Sequence, residues 1–326
     1  MRSAAPPLRG TPALLALALL AACASSPEVD PRYRPAENVL EVVALLRRHV
    51  PDDTYRFEPA RDFTGRDIYR SSLLRLESLE RVHAEALRAG HLDGAIAFAK
   101  GRALERLRAF DLAAESYRLA AEREPDLARE ARRSAALCEA LGRAAALGID
   151  LADLAGGSGG GGALRAGADP DALTLAFEER VARLEELLAG AEGHHPALIR
   201  EEIERADLSR ARAFRALRQL LPDGDLRAVA ELQRVVVRHR ESKNAARHLL
   251  ELADLYGELA EEYVAAHPPP GLSFDPAHFQ ELTDGASRLY EIVAARDGTP
   301  EKLEASRRLE AFLAFALRVD RDRFTP

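Results

Sequence analysis

The sequence predicts an all-α fold, and three observations support it. After Pro35, apolar residues recur at spacings of three and four, and no segment sustains the two-residue alternation of a half-buried strand. Proline and glycine punctuate the chain where helices would start and stop. The connections between successive periodic segments are short, which favours antiparallel helix hairpins.

Helix starts are marked by proline at the first helical position, where its missing N–H costs no hydrogen bond. Four starts have this form: Asp169-Pro170, His195-Pro196, Asp275-Pro276 and Thr299-Pro300. Turn residues mark the stops, such as Gly90, Gly193 and Gly298. Eleven helical segments are predicted, near residues 36–49, 67–89, 94–108, 111–123, 126–147, 170–190, 196–221, 225–240, 242–266, 275–296 and 300–319.

The N-terminus has the form of an export signal. Arg2 and Arg9 precede an apolar stretch over residues 13–22, which is shorter than the roughly 20 residues that span a bilayer. The stretch ends in Leu20-Ala21-Ala22-Cys23, which resembles the lipobox of bacterial lipoproteins. This resemblance implies that residues 1–22 are removed and that Cys23 is lipid-modified. The alternative is an ordinary secretory signal with a cysteine after its cleavage site.

The residues after Cys23 indicate where such a lipoprotein would reside. Ala24 and Ser25 follow the cysteine without an adjacent aspartate, a pattern that in this class goes with the outer membrane. Residues 23–36 are polar and contain three prolines, which is typical of an extended tether. We therefore expect a lipid anchor in the outer membrane and a folded part that faces the periplasm.

Charge and cysteine content narrow the function classes. The whole chain has a net charge of −7, and without Arg2 and Arg9 it has 44 basic and 53 acidic residues, a net charge of −9. A general nucleic-acid role is disfavoured, because such binding needs a positive surface. With Cys23 acylated, Cys138 has no disulfide partner. We expect Cys138 to be a buried small residue of a helix, and the alternative is a reactive thiol.

Residues 94–125 resemble one tetratricopeptide (TPR) unit, a pair of antiparallel helices. In this unit a small residue allows close helix contact, apolar residues lie one turn apart, and a proline closes the second helix. The matching positions are Gly101, Leu104, Ala113, Tyr117, Ala120 and Pro125, whereas two positions that are usually large are Ala97 and Lys100. Weaker resemblances to TPR helices occur over residues 228–256 and before Pro300. The resemblance implies an α-solenoid of stacked hairpins.

A glycine-rich segment divides the chain. Residues 156–162 contain six glycines and one serine, which behave as flexible coil. We therefore predict an N-terminal array over residues 37–150, a linker over 151–169 and a C-terminal array over 170–326. The same segment matches G-x-S-x-G and G-x-G-x-x-G, but both chemistries need a preceding strand, and none is predicted.

Two groups of histidines are weighed as sites. His194 and His195 precede Pro196 with no cysteine or carboxylate at ligand spacing, so a polar turn is favoured over a metal site. His267 and His278 flank a loop with Asp275, which we expect to be an N-cap and not a catalytic group. No metal, cofactor or catalytic residue is therefore predicted.

The helix predicted over 170–190 carries an apolar stripe that has two interpretations. It consists of Leu173, Phe177, Val181, Leu184 and Leu188. The stripe could seat a partner helix in a coiled coil and support self-association. Burial against the helix over 196–221 of the same chain is favoured.

The TPR resemblance implies a groove lined by the first helix of each unit. In the unit at 94–125 the groove residues would be Ala95, Phe98, Arg102, Glu105 and Arg106. Phe98 would supply an aromatic anchor, and the arginines would pair with carboxylates of a partner. We therefore expect a membrane-anchored scaffold that binds envelope proteins or peptides and is not an enzyme. The alternatives are an envelope enzyme such as a cell-wall hydrolase, and a self-associating structural lipoprotein.

Overall fold

The computed structural model describes residues 34–55, 67–148 and 169–323, with the side chains of Arg34 and of residues 51–55 excluded. The predicted signal peptide, Cys23 and most of the tether lie outside these ranges. The glycine run and its two motifs also lie outside them. Within the described ranges no strand is present, and the predicted all-α class is confirmed.

Eleven α-helices lie in the described residues. They are α1 Arg34–Tyr55, α2 Ile68–Ala89, α3 Asp93–Arg106, α4 Phe110–Arg123, α5 Ala128–Ala145, α6 Pro170–Ala189, α7 His195–Leu217, α8 Gly224–Arg238, α9 Ala245–Ala266, α10 Pro276–Ala294 and α11 Glu301–Asp322. A single 3₁₀ turn, Arg218–Leu220, follows α7. None of the described helices has the length and hydropathy needed to cross a membrane.

Several helix ends differ from the predicted ones for local reasons. α3 ends at Arg106 and not at 108, because Arg108 adopts a left-handed conformation with φ 61° that a helix cannot continue. α9 begins at Ala245 and not at 242, because the Ser242 hydroxyl accepts a hydrogen bond from the Asn244 amide and holds a turn there. α1 continues through Pro51 to Tyr55, beyond its predicted end at 49.

Each described helix packs against the next described helix along the chain. Contacts outside this order join α1 to α3 and α7, and α9 to α11. This consecutive packing is consistent with a helical repeat.

One hydrophobic core joins the helices on the two sides of the glycine run. Leu141 of α5 and Tyr117 of α4 belong to the same cluster as Leu184 of α6 and Ile199 of α7, and all four are buried. Further clusters join α1 to α3, α7 to α9, and α9 to α11. The two arrays are thus separated along the sequence but share packing in space.

The pairing of α3 with α4 depends on a glycine. A Cβ atom placed on Gly101 would lie 2.7 Å from ring carbons of Tyr117, a distance that packed side chains do not show. Tyr117 has no exposed surface. The small residue that the sequence indicates at position 101 therefore does allow close contact between the two helices.

The apolar stripe of α6 is used within the chain. Leu173 and Phe177 pack with Ala213 and Leu217 of α7, and Leu184 packs in the core with Ile199. The predicted burial against the following helix is confirmed. These side chains are consequently not exposed for a coiled coil with another copy.

Candidate functional site

The end of α3 faces the start of α7, and a cluster of polar side chains lies between them. Pro196 near the first position of α7 fixes where that helix starts, so His194 and His195 lie at its N-terminal end. Glu105 and Arg102 lie one turn apart in the last part of α3. Core packing of α5 and α6 brings these two segments together, although about 90 residues separate them.

Glu105 is the centre of this cluster. Its side chain has no exposed surface, and its carboxylate accepts hydrogen bonds from His194 Nε2 to Oε1 at 2.8 Å and from the Tyr117 hydroxyl to Oε2 at 3.1 Å. The Cys138 thiol points at the same Oε2 atom, with Sγ at 3.7 Å. A buried carboxylate is stable only with such partners, because an unpaired charge in the interior is very costly.

The cluster fixes the protonation of its members. Burial would raise the pKa of Glu105, but the hydrogen bond from His194 and the charge of Arg102 lower it to about 2. Burial and the charge of His194 lower the pKa of His195 to about 4. At neutral pH the cluster therefore contains an ionised carboxylate beside a neutral imidazole at position 195.

The thiol and the phenol in this cluster are not activated nucleophiles. Burial first, and then the charge of Glu105, raise the pKa of both Cys138 and Tyr117 above their ordinary values. A reactive thiol needs the opposite shift, toward the thiolate. Cys138 is buried, as the sequence predicts for a core residue, and it remains a protonated thiol at neutral pH.

Arg102 closes the outer side of the cluster. Its guanidinium contacts the ring nitrogens of His194 and lies 3.6 Å from Glu105 Oε1, while its NH2 atom lies 3.3 Å from Glu130 Oε1. The same guanidinium stacks over the ring of Phe98 at 5.1 Å. Arg102 is therefore a resident cation between two carboxylates.

A charged cleft of about 380 Å³ extends from this cluster. It lies between the end of α3, the first half of α7 and the start of α9. Six basic and four acidic residues line it: Arg106, Arg108, Arg205, Arg212, Lys243 and Arg247, with Glu105, Glu201, Glu202 and Glu204. The charged lining thus has a basic excess on a chain whose net charge is −7.

The basic side chains of this cleft pair with carboxylates of the same chain, and some of them remain partly exposed to solvent. Arg106 is nearly buried and bonds Glu201 at 3.0 Å. Arg212, which pairs with Glu251, is 34% exposed at its side chain, and Arg247, which lies 3.3 Å from Glu301, is 47% exposed. The more exposed arginines, Arg205, Arg212 and Arg247, lie on α7 and α9, whereas the nearly buried Arg106 ends α3.

The five predicted groove residues differ in their burial and in their partners. Ala95 and Phe98 are partly buried, and the Phe98 ring packs edge-on against Tyr117 with centroids 5.3 Å apart. Arg102 and Arg106 are engaged with carboxylates of the same chain. Glu105 was expected to contact a docked segment. Its side chain has no exposed surface, so in this conformation it lies inside the protein and cannot make that contact.

Sequence reasoning missed the link between the histidine pair and Glu105. The expectation that no carboxylate accompanies the pair considered only nearby positions, whereas Glu105 lies 89 residues before His194. The available signal was a glutamate and an arginine on the inner face of the TPR-like helix. Near the other two histidines, His267 and His278, the expected N-cap is confirmed. Asp275 caps α10 by accepting hydrogen bonds from the amides of Ala277 and His278.

Comparison with known proteins gives no relative: no family model, curated protein or solved structure matches this chain. The site therefore has to be interpreted from its own geometry.

Proposed function

We propose that this protein is a lipid-anchored helical-repeat scaffold of TPR type that docks an acidic segment of an envelope protein in the α3–α7–α9 cleft. The observation that carries the proposal is the basic excess in the lining of this cleft on an otherwise acidic chain. An excess of basic side chains lining one surface of a negatively charged protein favours encounter with acidic partners over other partners.

The chemistry of arginine explains how a paired cation can still bind a partner. A guanidinium has five N–H donors, and one carboxylate engages at most two of them. Arg212 and Arg247 each bond a carboxylate of the chain and remain partly exposed. A carboxylate of a docked segment would bind at their outer edges without breaking the internal pairs.

The binding contribution of the cleft can be tested with a defined probe. A fluorescein-labelled acidic peptide is titrated with wild-type protein and with Arg212→Glu/Arg247→Glu, and anisotropy is measured. We expect binding by the wild type that weakens at least tenfold in the variant and weakens with rising salt. The matched control is Arg118→Glu/Arg183→Glu, which changes the net charge by the same amount outside the cleft. Arg118 is 53% exposed and pairs with Glu139, and Arg183 is 50% exposed and pairs with Glu179.

Equal weakening by the control variant would show a general charge effect and would reject the cleft. Circular dichroism and the thermal midpoint of each variant establish that folding is retained. A result in which the acidic peptide binds no better than a neutral peptide of the same length would also reject the acidic partner.

The membrane anchor is a separate part of the proposal. The lipobox-like sequence around Cys23 supports it, and two or more acyl chains give stable attachment to a bilayer. Wild-type protein in a bacterial host should incorporate labelled palmitate and sediment with the outer membrane. Cys23→Ala should abolish both, while a Cys138→Ala control should leave both unchanged.

The proposal assigns no covalent chemistry to the chain. The protonated state of Cys138 and Tyr117 gives no support to an enzyme that would use either as a nucleophile. An envelope hydrolase that uses a glutamate is the opposing hypothesis. It would be supported if the purified protein released soluble fragments from cell-wall material and a glutamate variant did not.

A further inference from the structure

The three ligand-type side chains at the α3–α7 contact meet within a small volume. Glu105, His194 and His195 each place one oxygen or nitrogen atom within 4.8 Å of the other two. Among the residues that the structure describes, this is the one group of three or more such side chains. The other histidine–carboxylate pairs, His239 with Asp207 and His248 with Glu204, do not form a group of this kind.

Arg102 stands beside the same atoms that a metal ion would engage. When the ring proton of His194 is on Nε2, this atom donates to Glu105 Oε1 at 2.8 Å, and Nδ1 accepts a hydrogen bond from Arg102 NH1 at 2.9 Å. Arg102 NH1 also lies 3.6 Å from Glu105 Oε1. The guanidinium therefore places a positive charge next to both an imidazole lone pair and a carboxylate.

We propose that Glu105, His194 and His195 bind a divalent transition metal of the zinc class, and that Arg102 occupies the metal position when no metal is bound. A metal ion would take over both roles of Arg102, because it accepts an imidazole lone pair and balances the charge of the carboxylate. Two imidazoles and one carboxylate form a donor set that suits zinc and disfavours magnesium or calcium.

The neighbours of the three residues support this use. The Tyr117 hydroxyl donates to Oε2 of Glu105 and leaves Oε1 toward the histidines. Ser134 Oγ lies 3.3 Å from His195 Nε2 and orients that ring. Such outer partners fix the direction of metal ligands.

Metal binding would require only small shifts of the three ligand side chains, and the Arg102 side chain can move aside. Tetrahedral zinc holds its nitrogen and oxygen ligands roughly 3.4 Å apart, so side chains now within 4.8 Å have to close by about 1 Å. Arg102 already reaches Glu130, whose side chain is 40% exposed, and can withdraw toward it. His194, 14% exposed, is the route by which an ion would enter.

The site would join the two arrays. Glu105 lies in α3 of the N-terminal array, and the histidines open α7 of the C-terminal array. A bound ion therefore links helices from the two sides of the glycine run. Three protein ligands leave the fourth zinc position for water or another donor.

The test uses the full chain without a polyhistidine tag, stripped of metal by a chelator. Zinc is titrated in competition with a chromogenic zinc indicator, and the thermal midpoint is measured with and without zinc. We expect one zinc per chain with a dissociation constant at or below 1 µM (~8 kcal/mol), and a thermal midpoint that rises with zinc. Magnesium at the same concentration should leave the midpoint unchanged.

Variants locate the site. His194→Ala should weaken zinc binding at least 100-fold, whereas His239→Ala, which removes a histidine paired with Asp207 at 2.9 Å, should leave it unchanged. Arg102→Gln should tighten zinc binding about tenfold, because it removes the competing cation. Binding weaker than 10 µM, or binding that survives His194→Ala, would overturn the site. Neither result bears on the binding of acidic peptide by Arg212 and Arg247.

Discussion

Gly101 and Tyr117 form the tightest contact between α3 and α4. The position of a Cβ at residue 101 falls 2.7 Å from two ring carbons of a fully buried tyrosine. The hydroxyl of the same tyrosine holds Glu105, so a displacement of the ring would also disturb the carboxylate. One small residue therefore supports both helix packing and the polar cluster.

The substitution Gly101→Ala should destabilise the protein. The added methyl group costs about 1–3 kcal/mol by overpacking, which exceeds the gain of about 1 kcal/mol from better helix propensity. Chemical denaturation measures the change in unfolding free energy. Gly142→Ala in α5 is the control. Its added Cβ would lie 3.4 Å from Asp111 Oδ1 and 3.6 Å from Phe110 Cβ, which are ordinary contacts, so the substitution should stabilise the helix. Equal gains in both variants would contradict the close contact.

Glu204 makes the stability depend on pH. Burial would raise its pKa, but hydrogen bonds from His248, Ser242 and Asn244 hold the pKa below its ordinary value of 4.5. A carboxyl with a lowered folded-state pKa stabilises the fold above pH 4.5, and this contribution is lost as the pH falls through the folded-state value.

Glu204→Gln should therefore lower the unfolding free energy at pH 7, and its difference from the wild type should shrink as the pH falls below about 4.5. Urea denaturation at a series of pH values measures the difference. Glu179→Gln, at a half-exposed residue of α6, is the control and should follow the wild-type profile. A Glu204→Gln difference that stays constant between pH 7 and pH 3 would contradict the interpretation.

At the scale of elements, α6 connects the helices before and after the glycine run. Leu184 on its inner face lies in the core with Leu141 of α5 and Ile199 of α7. Leu175 on the same helix is 66% exposed. The two leucines therefore provide a matched pair for measuring what the buried face of α6 contributes.

Leu184→Ala should lower the unfolding free energy by about 2–5 kcal/mol, because it leaves a cavity in a closely packed core. Leu175→Ala should change it by less than about 0.5 kcal/mol. Thermal or urea denaturation of both variants gives the comparison. Similar small losses in both would indicate that α6 does not pack against the core as described.

The positions of the helices were largely predictable from the sequence, whereas the contacts between side chains of different helices were not. Helical spacing and the Pro170, Pro196 and Pro276 signals locate helices through local physics, so the sequence predicts them well. Helix ends set by one conformation, such as that of Arg108, were missed. The pairing of Glu105 with His194 depends on how α3 and α7 meet in space, which no local pattern encodes.

At the scale of the whole molecule, the two arrays share one hydrophobic core. We therefore expect a protease site inserted between residues 149 and 168 to be cleaved without separating the chain. The two fragments should co-elute in size-exclusion chromatography at micromolar concentration, because α5, α6 and α7 remain packed together. Separation of the fragments in native buffer would contradict the shared core.

The charge distribution is also a property of the whole molecule. The TPR-like groove was expected at Phe98 and Arg102, but the first helix of that unit is engaged by α7 of the same chain. The exposed cations lie instead along α7 and α9, where Arg212 and Arg247 are found. The location of the exposed cations depends on how distant helices pack, which no local pattern in the sequence predicts.

The most direct test of the scaffold is site-specific photocrosslinking in the envelope of the native host. A photoreactive amino acid replaces Asn244, an uncharged residue that lines the cleft, or Arg118 on α4 outside it. The account predicts that position 244 crosslinks to a discrete envelope protein at an acidic segment and that position 118 does not. Crosslinks of equal yield from both positions, or none from position 244 in a folded and anchored protein, would contradict it.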